Sequence, residues 1–230
     1  MKRVVTALVA LSLMVVVGCQ RPDPAGHEQV VALTFSANRV AVIGDSYTTG
    51  GGEGGLGEKS WPAQAWQILA RQGVATAADI GAEGGAGYGI RGNRGRLFED
   101  LTAATVKPDD RLVVFFGSRN DLPVDPTQLS ILAYGTFTLA RRIAPAARFV
   151  VIGPPWPTAD PPPALLRIRD TLEYQAGLAD ATFVDPLAER WFVGMPQLIG
   201  ADGVHPTDAG HAYMAAKIAP LIAAHLPRRT

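Results

Sequence analysis

Five short runs of β-branched or other apolar residues recur along this chain, and longer helix-like stretches separate them. The runs lie at 40–43, 74–80, 112–116, 149–152 and 182–184, and the helix-like stretches lie at 61–72, 95–104, 128–143, 164–179 and 208–225. Strands that alternate with helices predict a parallel sheet that helices cover on both faces. We therefore expect an α/β domain over residues 38–230, built as a three-layer α/β/α sandwich with a five-stranded, mainly parallel sheet.

The composition supports a compact domain and excludes some partners. Hydrophobic residues make up 47% of the 230 residues and charged residues 18%, which is typical of a globular protein. The formal net charge is zero and no basic stripe is present, so nucleic acid is not an expected partner. The sequence does not indicate an oligomeric state.

The N-terminus carries the features of an export signal. Lys2 and Arg3 precede an apolar run at 4–17, which is too short to span a bilayer comfortably. The run stops at Gly18, and the next residue is Cys19, the only cysteine in the chain. This arrangement resembles a bacterial lipobox, in which the cysteine is lipidated and becomes the mature N-terminus.

The lipobox resemblance predicts three segments. Residues 1–18 would be a lipoprotein signal peptide, residues 19–37 a tether that begins at lipidated Cys19, and residues 38–230 the folded domain. The protein is then expected to be exported to the bacterial cell envelope and anchored to a membrane by the lipid on Cys19. The alternative is an uncleaved anchor helix that a chance cysteine follows.

Polar residues follow the predicted strands at their carboxyl ends, where open α/β sheets gather their ligands. Ser46 follows the first strand, and Asp202 and His205 follow the fifth. A serine hydroxyl needs a base to take its proton, and an imidazole that a carboxylate orients is suited to this task. The pattern predicts Ser46 as nucleophile, His205 as general base and Asp202 as the group that orients it. For His211, inside the last predicted helix, we expect a structural role.

A serine nucleophile also requires donors for the oxyanion that forms on the attacked carbonyl. Candidate donors are the backbone N–H of Ser46, a backbone N–H from the glycine-rich stretch 81–85, and the side-chain amide of Asn120. Trp156 lies in a stiff, proline-rich stretch after the fourth predicted strand, and we expect it to form a wall of the substrate pocket.

These motifs together resemble the SGNH (GDSL-like) hydrolase superfamily. The resemblance rests on Gly44-Asp45-Ser46, a glycine after the second strand, Asn120-Asp121 after the third, and Asp202-x-x-His205 near the end. It implies a flavodoxin-like fold and ester hydrolysis without a metal or other cofactor. It also implies that Ser46, Gly84 and Asn120 form the oxyanion hole, beside the triad of Ser46, Asp202 and His205.

Two positions depart from the superfamily's usual pattern. The third block usually reads Gly-x-Asn-Asp, whereas an additional residue separates Gly117 from Asn120 here, and Asp79 stands where the second block often has asparagine. The α/β-hydrolases are a different class of serine enzyme with the motif Gly-x-Ser-x-Gly. Thr48 replaces the second glycine of that motif, which excludes the chain from that class.

The prediction is a serine esterase that cleaves carboxylic esters, including acetyl and other short-acyl esters, through an acyl-enzyme on Ser46. Its partners would be an ester substrate (a small molecule, a glycan or a lipid) and the membrane. One alternative is an acyltransferase that passes the same acyl group to envelope glycans or lipids. A non-catalytic envelope lipoprotein that keeps the fold as a binding module is an alternative of another class.

Overall fold

A computed structural model describes residues 37–227. The predicted signal peptide, Cys19 and nearly all of the predicted tether lie outside the described residues. The described chain forms five strands: β1 (Asn38–Gly44), β2 (Thr76–Ala82), β3 (Leu112–Phe116), β4 (Arg148–Ile152) and β5 (Thr182–Val184). No helix within the described range is long and apolar enough to cross a membrane.

The strands form one sheet in the order β2-β1-β3-β4-β5, and every neighbouring pair is parallel. Because side chains alternate across a strand, each central strand contributes to two cores. In β1, Val40 and Val42 belong to one buried cluster, and Ala41 and Ile43 belong to the other. This two-sided burial explains why the central strands are continuous apolar runs in the sequence.

Helices cover both faces of the sheet. A four-residue helix, α1 (Ser46–Thr49), follows β1; α2 (Trp61–Arg71) and α6 (Asp208–His225) pack on the face of Val40 and Val42. The opposite face is covered by α3 (Phe98–Thr105), α4 (Pro126–Ile143) and α5 (Pro163–Leu178). The predicted three-layer α/β/α architecture is therefore confirmed, and the sheet is entirely rather than mainly parallel.

Three elements begin at other residues than the sequence predicts, because capping and glycine geometry override the apolar pattern. Strand β2 begins at Thr76 because Gly73 adopts a φ of +74° and the Val74 amide turns back to the Leu69 carbonyl at 2.9 Å. Helix α3 begins at Phe98 rather than at residue 95, because Gly95 adopts a φ of +84°. Helix α4 begins two residues early because Asp125 accepts hydrogen bonds from the amides that follow its first residue.

Candidate active site

Ser46 stands at a sharp turn where β1 passes into α1. Asp45 caps the helix, since its Oδ1 accepts a hydrogen bond from the Tyr47 amide at 2.9 Å. A Cβ on Gly44 would lie 2.2 Å from Oγ1 of Thr48, so only glycine allows this turn. Because Asp45 caps the helix, the hydroxyl of Ser46 is left available for another partner.

That partner is His205, 159 residues later in the chain. The Ser46 Oγ lies 3.0 Å from Nε2 of His205, and Nδ1 of His205 lies 2.6 Å from Oδ2 of Asp202. A carboxylate at Nδ1 favours the tautomer that carries its proton there, which leaves Nε2 free to accept the serine proton. The structure thus joins the three predicted triad residues by two consecutive hydrogen bonds.

The second oxygen of Asp202 organises the loop that carries His205. It accepts hydrogen bonds from the amides of Val204 at 2.8 Å and His205 at 2.9 Å. The hydrogen bond to His205 is the main cause that lowers the pKa of Asp202 to about 2. Asp202 is therefore a carboxylate throughout the working pH range, and all of its partners are donors.

His211, the second histidine of this region, has a structural position. It is fully buried, and its Nδ1 accepts a hydrogen bond from the Trp61 amide at 3.2 Å, which joins α2 to α6. Burial lowers the pKa of His211 to about 4, so the ring is neutral at neutral pH. A Cβ on Gly55 would lie 2.0 Å from its Nε2, so the backbone of a neighbouring loop covers the ring.

Ser46 and His205 open into a cleft of about 460 Å³. Among the described residues, only glycines and residues with polar side chains line this cleft. These residues are Ser46, Thr49, Gly50, Gly51, Gly52, Glu53, Glu83, Gly84, Asn93, Arg94, Asp202 and His205. The cleft therefore offers many hydrogen-bonding groups, and no large apolar side chain lines it.

Of the two predicted oxyanion donors besides Ser46, only one lines the cleft. Gly84 lines the cleft beside Ser46, and its carbonyl accepts a hydrogen bond from the Asn93 amide at 2.9 Å. Asn120 does not line the cleft. Its Nδ2 donates to the Ala86 carbonyl at 2.8 Å and lies 3.4 Å from Oδ2 of Asp45.

Trp156 does not lie where the sequence pattern predicts. It is absent from the lining of the cleft, and it lines a separate cavity of about 200 Å³. The Arg119 guanidinium stacks 4.4 Å from the centre of its ring, and its Nε1 donates to Thr158. The expectation that Trp156 walls the pocket at Ser46 is thus not supported, because these contacts hold the ring elsewhere.

Three buried carboxyl groups near the cleft organise the chain around it, and the sequence analysis did not identify two of them, Glu83 and Asp121, in this role. Glu83 is 1% exposed and accepts hydrogen bonds from the amides of Arg94 and Arg96, which fixes the loop that carries Asn93. Asp121 accepts hydrogen bonds from two backbone amides of the loop that follows β2, and Asp45 caps α1. Burial raises the pKa of both Asp45 and Asp121 to about 6. The partners of Glu83 and Asp121 are backbone amides 11 to 33 residues away in the sequence, so no short motif predicts these contacts.

A glycine hairpin forms another part of the cleft wall. Gly51 and Gly54 exchange backbone hydrogen bonds at 2.8 and 3.2 Å. Within this hairpin Oε2 of Glu53 accepts the Ala201 amide at 2.9 Å, and the Gly55 amide donates to Asp208 at 2.9 Å. The hairpin is therefore joined both to the loop of His205 and to α6.

Within the described residues, no group of three or more His, Cys, Asp or Glu side chains is placed to hold a metal ion.

Comparisons with known proteins agree on a family. The sequence model of the GDSL-like Lipase/Acylhydrolase family matches residues 42–213. A protein named GDSL lipase from Mycobacterium tuberculosis (strain ATCC 25618 / H37Rv) is 57% identical over 229 residues, which cover 98% of this chain and 99% of that protein.

Solved structures show the same fold at low sequence identity. A family two carbohydrate esterase from Clostridium thermocellum, solved with cellohexaose, superposes with a TM-score of 0.64 at 19% identity; the match covers 81% of this chain and 64% of that protein's length. A carbohydrate acetylesterase from Sinorhizobium meliloti gives a TM-score of 0.61 at 16% identity and covers 81% of this chain and 99% of the other. The chain belongs to the GDSL-like lipase/acylhydrolase (SGNH) family, and it is an ester hydrolase.

Proposed function

We propose that the chain hydrolyses carboxylic esters through a covalent acyl-enzyme on Ser46. The observation that carries this proposal is the hydrogen-bonded triad of Ser46, His205 and Asp202. Ser46 Oγ lies 3.0 Å from His205 Nε2, and His205 Nδ1 lies 2.6 Å from Asp202 Oδ2. A hydroxyl in this arrangement can pass its proton to Nε2 as it attacks a carbonyl carbon.

In the first half of this reaction, Ser46 Oγ bonds to the carbonyl carbon and His205 takes the hydroxyl proton. The tetrahedral intermediate then expels the alcohol, which receives that proton from His205. Asp202 stabilises the imidazolium in between, and its ionised state suits this role. In the second half, water attacks the acyl-enzyme with His205 as base and releases the acid and free Ser46.

The oxyanion would be bound by the backbone N–H groups of Ser46 and Gly84 and by the amide of Asn120. Gly84 supports this role through its place in the cleft wall. Asn120 has two amide hydrogens, of which one is held by the Ala86 carbonyl at 2.8 Å. The other faces Asp45 at 3.4 Å, a weak contact that an oxyanion could replace.

For the substrate we propose an ester of a short acyl group, such as acetyl, with a hydroxyl-rich alcohol. The supporting observation is the lining of the cleft, in which glycines and polar groups such as Thr49, Asn93 and Arg94 surround Ser46. A long acyl chain gains little from such walls, whereas sugar hydroxyls can replace their water hydrogen bonds there. The carbohydrate esterases named above share the fold alone, so this proposal rests on the cleft itself.

We also propose that the protein is exported and anchored to a membrane through a lipid on Cys19. The support comes from the sequence alone: two basic residues, an apolar run at 4–17 and a cysteine where that run stops.

Replacing Asp202 with asparagine should lower kcat by a factor on the order of 10⁴. All three partners of Asp202 are donors, and an amide cannot accept from the Val204 and His205 amides while also accepting from Nδ1 of His205. Steady-state kinetics measure this effect, and an unchanged kcat would contradict the role of Asp202.

Ser46→Ala and His205→Ala should each lower ester hydrolysis by at least about 10³-fold, because triad members act as a unit. A fluorophosphonate probe followed by peptide mass spectrometry should label Ser46 in the wild-type protein and fail to label it in His205→Ala. Ser130→Ala is the matched control, since the Ser130 hydroxyl bonds to Gln175 between α4 and α5. Full activity in Ser46→Ala, or a label on another serine, would refute the proposal.

Among nitrophenyl esters, kcat/KM should be at least about tenfold higher for the acetyl than for the octanoyl ester, since polar walls do not stabilise added methylenes. The leaving group is the same in the series, so the ratio reports acyl binding in the cleft. A rising kcat/KM with acyl length would instead indicate a substrate with a long acyl chain.

Cells that express the full chain should incorporate an alkynyl fatty acid into the wild-type protein but not into Cys19→Ser. The labelled protein should sediment with membranes, and the variant should not. Ser46→Ala, which keeps Cys19, serves as the control and should remain labelled. Equal labelling of wild type and Cys19→Ser would contradict the anchor.

A further inference from the structure

The proposed catalytic groups reside on two separate segments of the chain. Ser46 belongs to α1, whereas Asp202 and His205 share one loop, in which the Gly200 amide donates to the His205 carbonyl at 2.8 Å. Asp202 and His205 therefore keep their mutual geometry through bonds within the loop. The distance between Ser46 and His205 has no such local support, and it depends on contacts between the two segments.

Tyr47 makes such a contact directly beside the nucleophile. Its hydroxyl donates a hydrogen bond to the Val204 carbonyl at 2.5 Å, across 157 residues of sequence. The Val204 carbonyl belongs to the same peptide unit as the His205 amide, and this amide donates to Asp202 at 2.9 Å. One peptide unit of the loop is thus held by Asp202 on one side and by Tyr47 on the other.

The position of the Tyr47 hydroxyl is itself well defined. The side chain is 2% exposed, and its ring packs edge-on against Phe116 and Phe192 at centroid distances of 6.2 and 6.3 Å. The ring of His205 lies 6.3 Å away. Burial raises the pKa of the phenol well above its usual range, so the hydroxyl stays protonated and remains a donor.

We propose that Tyr47 is a positioning residue: its hydrogen bond to the Val204 carbonyl sets the distance between Ser46 Oγ and His205 Nε2. The inference rests on the proposed acyl-enzyme mechanism and adds a residue to it. Tyr47 touches neither the ester nor the transferred proton. It acts through the loop, because the Asp202–His205 pair can move as one unit relative to α1 when the hydroxyl is absent.

Tyr47→Phe keeps the ring and removes only the hydroxyl. We expect kcat for the acetyl ester to fall about tenfold, because a small displacement of the base from the nucleophile slows proton transfer. The rate of fluorophosphonate labelling of Ser46 should fall in parallel. KM should stay within about twofold, because the cleft walls are unchanged.

Tyr88→Phe is the matched control. Tyr88 is as buried as Tyr47, but its hydroxyl has no hydrogen-bond partner within the described residues. Its kcat should stay within about twofold of wild type. Replacing Tyr47 with para-aminophenylalanine, which restores a donor, should recover most of the activity that Tyr47→Phe loses. A purely structural role would instead lower the melting temperature of Tyr47→Phe and leave the kcat of the folded protein within about twofold of wild type.

A wild-type kcat in Tyr47→Phe, or a raised KM with unchanged kcat, would each overturn the role of Tyr47. The acyl-enzyme proposal would still stand in these cases if Ser46 of the wild type is labelled. If Tyr47→Phe does not fold, two other variants at position 47 are compared. One carries para-aminophenylalanine, which can donate a hydrogen bond, and the other carries para-methylphenylalanine, which fills the space but cannot donate. Equal kcat values in these two variants would also overturn the proposal.

Discussion

The parallel arrangement of all five strands is the constraint on which the rest of this structure depends. Parallel strands end at the same edge of a sheet, so the segments that follow them meet there. The turn after β1 brings Ser46 to this edge, the stretch after β2 brings Gly84, and the segment between β5 and α6 brings Asp202 and His205. Residues up to 159 positions apart thereby come within hydrogen-bonding distance.

Buried carboxyl groups convert this shared edge into a defined site. Asp45, Glu83 and Asp121 are almost completely buried; Asp45 caps α1, and the other two accept hydrogen bonds from backbone amides of the segment that follows β2. Burial of a carboxyl group is costly, as the raised pKa of Asp45 and Asp121 indicates. The amides that these groups satisfy would otherwise be unpaired, so the same contacts hold the loops in a single arrangement.

Polarity distinguishes the cleft from the two apolar cores beneath it. Its walls come from a glycine hairpin and from the Asn93 loop, neither of which contributes a large apolar side chain to the lining. We therefore propose an ester of a short acyl group with a hydroxyl-rich alcohol as substrate, although the family includes proteins that are called lipases. The contrast follows from the loops, since the sheet beneath them determines the fold and not the substrate.

The sequence alone determined the features that depend on neighbours along the chain. Alternating apolar runs predicted the layers, and the short motifs at Ser46, Asp202 and His205 predicted residues that meet in the structure, because turn geometry and strand burial are local. Tertiary structure alone decided what depends on distant partners. It holds Trp156 against Arg119 and away from the cleft, bonds the Asn120 amide to the Ala86 carbonyl, and places the Tyr47 hydroxyl on Val204. These contacts join segments that lie far apart in the sequence and that no periodic pattern relates to each other. They form only when the chain packs.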